Sequence, residues 1–179
     1  MSGDFCEIIH HGAVRGVTGS CHELRLLPSS ANRQFAILVD CGLFQGAETS
    51  GTGAGRDQLA IDFPIEHIRA LVVTHVHIDH AGRIPYLLAA GFRGPIFCSE
   101  PSAVLLPLVI EDALAVGATR ERKIVADTVE ALQSRIRPLP YGRWQRIETG
   151  TGTQLEIRLQ RAGHILGSAY LECRISAPV

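Results

Sequence analysis

The spacing of apolar and polar positions divides the chain into short strands, three helices and a closing pair of strands. Phe5 to His10 and His22 to Leu27 read as strands separated by glycine-containing turns. Phe35 to Asp40 is continuously apolar up to its last residue, which predicts a strand buried on both faces. Ser29-Ser30-Ala31-Asn32 supplies the turn between the last two. Ala70 to Thr74 predicts another short buried strand, and it runs straight into His75. Over residues 80–90, Ile84, Leu87 and Leu88 share a helical face, and Gly91 stops the helix. Pro95 to Cys98 predicts a strand. Ser102 to Val116 reads as an apolar helix with Pro107 near its first turns. Residues 119–134 read as an amphipathic helix with Ile124, Ala131 and Leu132 inward, and Pro138 and Pro140 then break the pattern. Gln154 to Arg161 and Ala169 to Ile175 alternate as strands. Strands, then β-α-β-α-α, then strands again predict a layered α/β fold.

Composition supports a packed domain. The chain has 179 residues, 46% of them apolar and 20% charged. That is one domain, or a piece of a larger one, and it excludes a disordered chain. A chain of this length buries about two thirds of its unfolded surface. The net charge of −1 gives no strong overall field, so a polyanion would need a local patch. The longest apolar run, Ala103 to Ile110, is interrupted by Pro107 and falls far short of the ~20 residues that span a bilayer. No membrane association is expected. No secretory pattern opens the chain. The 5 cysteines include no CxxC pair, which predicts neither a disulfide framework nor a zinc ribbon but reduced thiols in a cytoplasmic protein. Residues 46–56 are glycine-rich, yet they lack the GK[ST] ending and the strand-to-helix frame of a phosphate loop.

Candidate chemistry concentrates in Thr74-His75-Val76-His77-Ile78-Asp79-His80. On an extended strand end, residues two apart point the same way, so His75 and His77 can converge. Asp79 and His80 fall at the start of the following helix and can address a neighbouring point. Imidazole nitrogen and carboxylate oxygen suit a borderline metal such as zinc, and two adjacent ions could share the cluster. Burying these groups unpaired would cost several kcal/mol, on the order of what any unsatisfied polar group costs. His164 lies in Ala162-Gly163-His164-Ile165-Leu166-Gly167-Ser168-Ala169, where flanking glycines let a loop approach another backbone. Alone it reads as a turn histidine; joined to His75 and His77 it completes a three-histidine site with an open position. Asp40 ends a buried strand and reads equally as an Asx turn or as a carboxylate that orients a ligand histidine.

The remaining polar features are weaker. Between Arg120 and Arg146, Arg120, Arg122, Lys123, Arg135, Arg137, Arg143 and Arg146 outnumber Glu121, Asp127 and Glu130. A solvated helix face is the expected reading of that excess, with phosphate contact as the alternative. Tyr141 and Trp144 in the same stretch could stack on bases or anchor a loop. His10, His11, His22 and His67 have no convergent partners by spacing and are expected to be structural or surface residues.

The His75–His80 segment matches the HxHxDH signature of the metallo-β-lactamase fold. Val17-Thr18-Gly19-Ser20-Cys21-His22, Asp40-Cys41-Gly42-Leu43-Phe44-Gln45-Gly46 and the His164 loop resemble further motifs of its β-CASP branch of RNA-processing nucleases, in the same order. The His164 loop is unlike that of glyoxalase-type thioesterases. The resemblance implies that His75, His77 and His164 bind a first zinc and that Asp79 and His80 bind a second. Asp79 would also be the candidate for proton handling, with Asp40 as support. It implies in-line hydrolysis of a phosphodiester in an RNA substrate. A small-molecule hydrolase acting on a thioester or lactam, and a non-catalytic scaffold relative, are the rival classes.

The family also has a bridging aspartate, a β-CASP insert and later histidines. After His164 this chain has no Asp and no His. The expectation is therefore that residues 1–179 form the N-terminal portion of a metallo-β-lactamase domain, half of an αββα sandwich with a mixed sheet and flanking helices. The insert and C-terminal half would be absent. Two zinc ions are expected in the complete protein and one or none here, with little nuclease activity and self-association through exposed sheet edges.

Overall fold

The computed structural model describes residues 6–14, 16–27, 34–44, 59–117, 121–150 and 152–176. The expected turn at 29–32 and the glycine-rich stretch 46–56 lie outside the described residues.

The strands Cys6–His10 (β1), His22–Leu26 (β2), Phe35–Val39 (β3), Ile68–Val72 (β4), Ile96–Ser99 (β5) and Ile136–Leu139 (β6) form one sheet in sequence order. The first three pair antiparallel and the last three join on parallel, so the sheet is mixed. Gln145–Ile147 (β7), Gln154–Arg161 (β8) and Ala169–Ser176 (β9) form a second, antiparallel sheet. The helices are Ile78–Ala81 (α1), Ile84–Ala89 (α2), Glu100–Gly117 (α3) and Arg122–Gln133 (α4).

Strand periodicity explains the layers. Successive side chains of a strand leave on opposite faces. From β3, Ala36 and Leu38 enter one core, and Phe35 and Ile37 enter another. β4 divides likewise, with Leu71 on one side and Ala70 and Val72 on the other. The first core lies under all four helices, including Ala81, Ile84, Leu106, Ile110 and Leu132. The second lies between the sheets, where Leu155, Ile157 and Leu159 of β8 meet β3 and β4. The doubly buried central strand expected at 35–40 is present. Among the described residues, helices cover only the larger sheet. The outer face of β7–β9 is polar, with Arg158 bonded to Glu172 at 2.6 Å and Trp144 in contact with the guanidinium groups of Arg158 and Arg174.

Several elements depart from expectation. The single helix at 80–90 is two short ones. The Arg83 N–H bonds the Cys41 carbonyl at 2.9 Å instead of continuing the helical ladder, and the Arg83 Nε bonds the Gly42 carbonyl at 2.8 Å. α4 is rotated by about one residue from the pattern reading: Val125 and Leu132 are buried, Ala131 is half-buried and Ile124 is exposed. Pro138 does not end the structure but sits in β6, opposite Cys98. β6 is an edge strand, where a missing N–H costs no ladder bond. β7 has three residues, too few for a period to show in the sequence. The strand expected at 70–74 ends at Val72, so Thr74 and His75 belong to the loop beyond it.

Candidate metal centre

Three loops meet at the ends of β2, β3 and β4. The Asp40 N–H bonds the Val72 carbonyl at 2.8 Å, Ser20 N–H bonds Asp79 at 2.9 Å, and Leu43 N–H bonds Ile78 at 2.9 Å. The Cys41 N–H bonds the His80 carbonyl at 2.8 Å. Gly42 fits because it has no side chain: a Cβ there would meet the Asp79 carbonyl and the His80 nitrogen. This lacing fixes the segment 75–80, of which only residues 78–80 belong to a helix. His77 is extended at φ −62° and ψ 147°, and its carbonyl accepts from His80 and Ala81 to start α1.

The ligand atoms of His75, His77 and His164 lie within 4.8 Å of one another. His164 Nε2 is 3.1 Å from His77 Nδ1. The His75 ring centre is 4.9 Å from that of His77, 5.0 Å from His164 and 4.0 Å from His80. His75 is buried, while His77 and His164 face solvent. His80 Nε2 is 3.7 Å from Asp79 Oδ2, so this pair stands beside the three imidazoles as a second group.

Asp40 organises both groups. It is buried, with φ at +62°, a left-handed conformation that Asp adopts more readily than most residues. Its Oδ1 accepts from the Thr74 N–H at 2.8 Å. Its Oδ2 accepts from the Thr74 hydroxyl at 2.9 Å, from His80 Nδ1 at 2.7 Å and from Ser20 Oγ at 3.3 Å. The Thr74 hydroxyl has one proton, and the carboxylate takes it. Its oxygen then accepts from His75 Nδ1, 3.0 Å away. Both imidazoles are thereby protonated at Nδ1 and present a free Nε2 lone pair. Of the two readings of Asp40, orienting the histidines is what the contacts describe. Burial, and then the neighbouring His80, lower the His75 pKa to about 4, which keeps the ring neutral and able to ligate. Burial also opposes charge on His80, but the Asp40 bond and charge outweigh it and raise that pKa.

A cleft of about 650 Å³ opens beside the centre. It is walled largely by apolar side chains, including Ile8, Leu24, Val39 and Leu171, and reached by His10, His22, His75, His80 and His164.

The polar residues outside the centre bear on two expectations. His10, His11, His22 and His67 do have partners. His10 Nδ1 is 2.8 Å from His22 Nδ1. Glu23, fully buried, meets His11 at 2.8 Å and both His67 and Arg25 at 2.7 Å. These residues lie far apart in sequence, and nothing in β2, where both Glu23 and Arg25 are charged, marks the cluster. The basic excess between 120 and 146 does not converge among the described residues; Arg120 lies outside them. Arg135 and Arg137 cap carbonyls at the end of α4, and Arg143 and Arg146 are on the other sheet's approach. Tyr141 bonds the Ser168 carbonyl at 3.3 Å, an anchoring contact to the His164 loop.

The pattern of the metallo-β-lactamase superfamily matches residues 31–169. The chain belongs to that superfamily. Ribonuclease TTHA0252 of Thermus thermophilus is 37% identical over 164 residues, which is 92% of this chain and 34% of that protein. Transcription termination factor FttA of Methanococcus maripaludis is 36% identical over 142 residues, 78% of this chain and 21% of that protein. This metallo-β-lactamase chain thus spans about a third or less of the length of these curated relatives. A solved β-lactamase domain protein from Burkholderia ambifaria aligns over 96% of this chain and 50% of that one, with a TM-score of 0.48 and 15% identity. The donor set fits the metal that the superfamily's name implies: three imidazoles that converge from two separate loops, with their ligand atoms within 4.8 Å of one another. Among the described residues no helix is long and apolar enough to cross a membrane.

Proposed function

We propose that this chain is the metal-binding N-terminal portion of a zinc-dependent phosphodiester hydrolase that acts on RNA in the cytoplasm. The convergence of His75, His77 and His164 carries the reading. Those three would hold a first zinc, and Asp79 with His80 would contribute to a second. A bound zinc ion supplies Lewis acidity toward a phosphate oxygen and makes a coordinated water more acidic. The protein's own part is to hold His75 neutral through burial and to fix the tautomers of His75 and His80 through the Asp40–Thr74 bonds. Asp79, partly exposed beside His80, would be the residue that handles a proton. RNA is favoured over a thioester or lactam because the relatives are named as a ribonuclease and a transcription termination factor.

The donor count limits what the chain does alone. Among the described residues the three-histidine group is the only one of three or more convergent donors, and Asp79 and His80 have no third companion. We therefore propose one zinc or none on the isolated chain and little or no RNA cleavage. Elemental analysis of protein purified without chelator tests the first point. About one zinc per chain supports the three-histidine site, no metal rejects it as a site preformed in this chain, and about two per chain overturn the proposed count. Robust metal-dependent RNA cleavage by the 179-residue chain overturns the second. For the protein as it occurs in the cell, turnover of a thioester in preference to RNA rejects the substrate class.

A further inference from the structure

His77 and His75 are held by the lacing around Asp40, but His164 arrives from the other sheet, on the loop between β8 and β9. Most of that loop's polar groups are satisfied within it. Ala162 N–H bonds the Ser168 carbonyl at 3.0 Å, Ser168 N–H bonds Ile165 at 3.0 Å, and Ile165 N–H bonds Ser168 Oγ at 2.9 Å. Such a closed loop is stiff but could pivot as a body. Besides the Tyr141 bond to the Ser168 carbonyl and the packing of Ile165 against the helix-side core, two hydrogen-bonded ties join it to the larger sheet's side. At one end the Ala169 N–H bonds the Thr74 carbonyl at 2.9 Å, directly before His75.

The other tie lies on the far side of His164. The Gly167 carbonyl accepts two hydroxyl bonds, from Ser99 Oγ at 2.6 Å and from Ser102 Oγ at 3.0 Å. Ser99 ends β5 and Ser102 is in the first turn of α3; both are fully buried. Ser99 Oγ also accepts from the Ser102 N–H at 3.3 Å, which caps the helix. Capping accounts for Ser99 as a residue type, but not for the Ser102 hydroxyl or for the aim of both protons at one carbonyl of a distant loop. Gly167 suits this approach. Its φ of +90° is open to glycine, and a Cβ there would stand 2.5 Å from Ser102 Oγ and 2.9 Å from the Ser102 nitrogen.

We propose that Ser99 and Ser102 are positioning residues: their paired hydroxyls grip the Gly167 carbonyl and so hold His164 against His75 and His77. The inference rests on the metal-site reading above. A supporting contact of this kind moves metal affinity by about 10–100-fold when it is lost. It does so only through the ligand it supports.

The test is zinc affinity, by competition with a chromophoric chelator, for the parent chain, Ser102→Ala, Ser99→Ala, His164→Ala and the Ser102→Ala/His164→Ala pair. Ser102→Ala leaves the α3 cap in place and is the primary variant. It is expected to weaken zinc binding about tenfold with the parental far-ultraviolet spectrum. In the His164→Ala background it is expected to change affinity less than twofold, because the loop then carries no ligand. Equal losses in both backgrounds, or parental affinity in Ser102→Ala, overturn the positioning role while leaving the metal site intact. If Ser102→Ala fails to fold, the same comparison is made with Ser99→Ala. A parent chain that binds no zinc overturns the site reading and this inference with it.

Discussion

Replacing Asp40 by Asn tests whether one carboxylate sets the protonation of two histidines. Asn tolerates the left-handed backbone at φ +62°, so the exchange adds no strain. Its carbonyl oxygen can keep the 2.8 Å bond from the Thr74 N–H. Its NH2 group then stands where Oδ2 accepted from Thr74, His80 and Ser20 at 2.9, 2.7 and 3.3 Å. The hydroxyls can turn round. Thr74 then accepts from Asn and donates to His75 Nδ1, which moves the His75 proton to Nε2. His80 Nδ1, facing a donor, gives up its proton to Nε2 as well. Both rings thus lose the lone pair that faces the metal position. The loss of such a partner costs about 10–100-fold in metal affinity, or about 1.4–2.7 kcal/mol. The charge-assisted bond from His80 adds about 1.5–3 kcal/mol to the lost folding stability. Chelator competition reads the affinity, urea unfolding the stability, and long-range proton–nitrogen correlation the ring tautomers. A folded Asp40→Asn chain with zinc affinity within threefold of the parent and Nδ1-protonated His75 and His80 would refute the reasoning.

Three other outcomes are expected. Glu23→Gln leaves Arg25, His11 and His67 around a neutral group that is fully buried, and urea unfolding should show a loss of about 3–5 kcal/mol. Burial pushes the Glu23 pKa up, but the Arg25, His11 and His67 bonds overcome it and hold it below its ordinary value. A carboxyl depressed on folding contributes stability above its unfolded pKa and loses it as pH falls through the folded one, so the gap between Glu23→Gln and the parent should narrow in acid; a constant gap down to pH 3 rejects the assignment. Gly42→Ala sets a methyl against the Asp79 and His80 backbone and should cost about 1–3 kcal/mol or more, with parental stability counting against the packing. Among the described residues β9 and β1 each pair on one side only, and Ile8 and Tyr170 are exposed, so light scattering should show association at high concentration; a monomer throughout removes that expectation.

What the sequence disclosed follows from how local each signal is. β3 was legible because four consecutive buried residues, Phe35 to Leu38, serve two cores at once, and continuous apolarity is the pattern that demands. His75 and His77 were legible because two ligands within three residues need only a kinked backbone to meet. Asp40 was half legible: a carboxylate at a strand end is visible, but its choice between a turn and a histidine depends on Thr74 and His80, which arrive from the loop and helix after β4. The break at Gly82–Arg83 was hidden because the helical spacing of Ile84, Leu87 and Leu88 lies wholly beyond it, and the competing acceptor is the Cys41 carbonyl some forty positions earlier. The Glu23 cluster and the Ser99–Ser102 grip were hidden for the same reason. Each joins side chains that are individually ordinary for their own elements, a strand glutamate and a helix-capping serine. Their roles exist only once β2 lies beside the His67 turn and β5 beneath the His164 loop. Motifs therefore marked the atoms that would touch a metal, whereas the groups that fix those atoms in one geometry are set by tertiary contacts. Variants at Asp40, Ser99 and Ser102 probe the centre in a way that the histidines cannot, since they change how ligands are held without removing one.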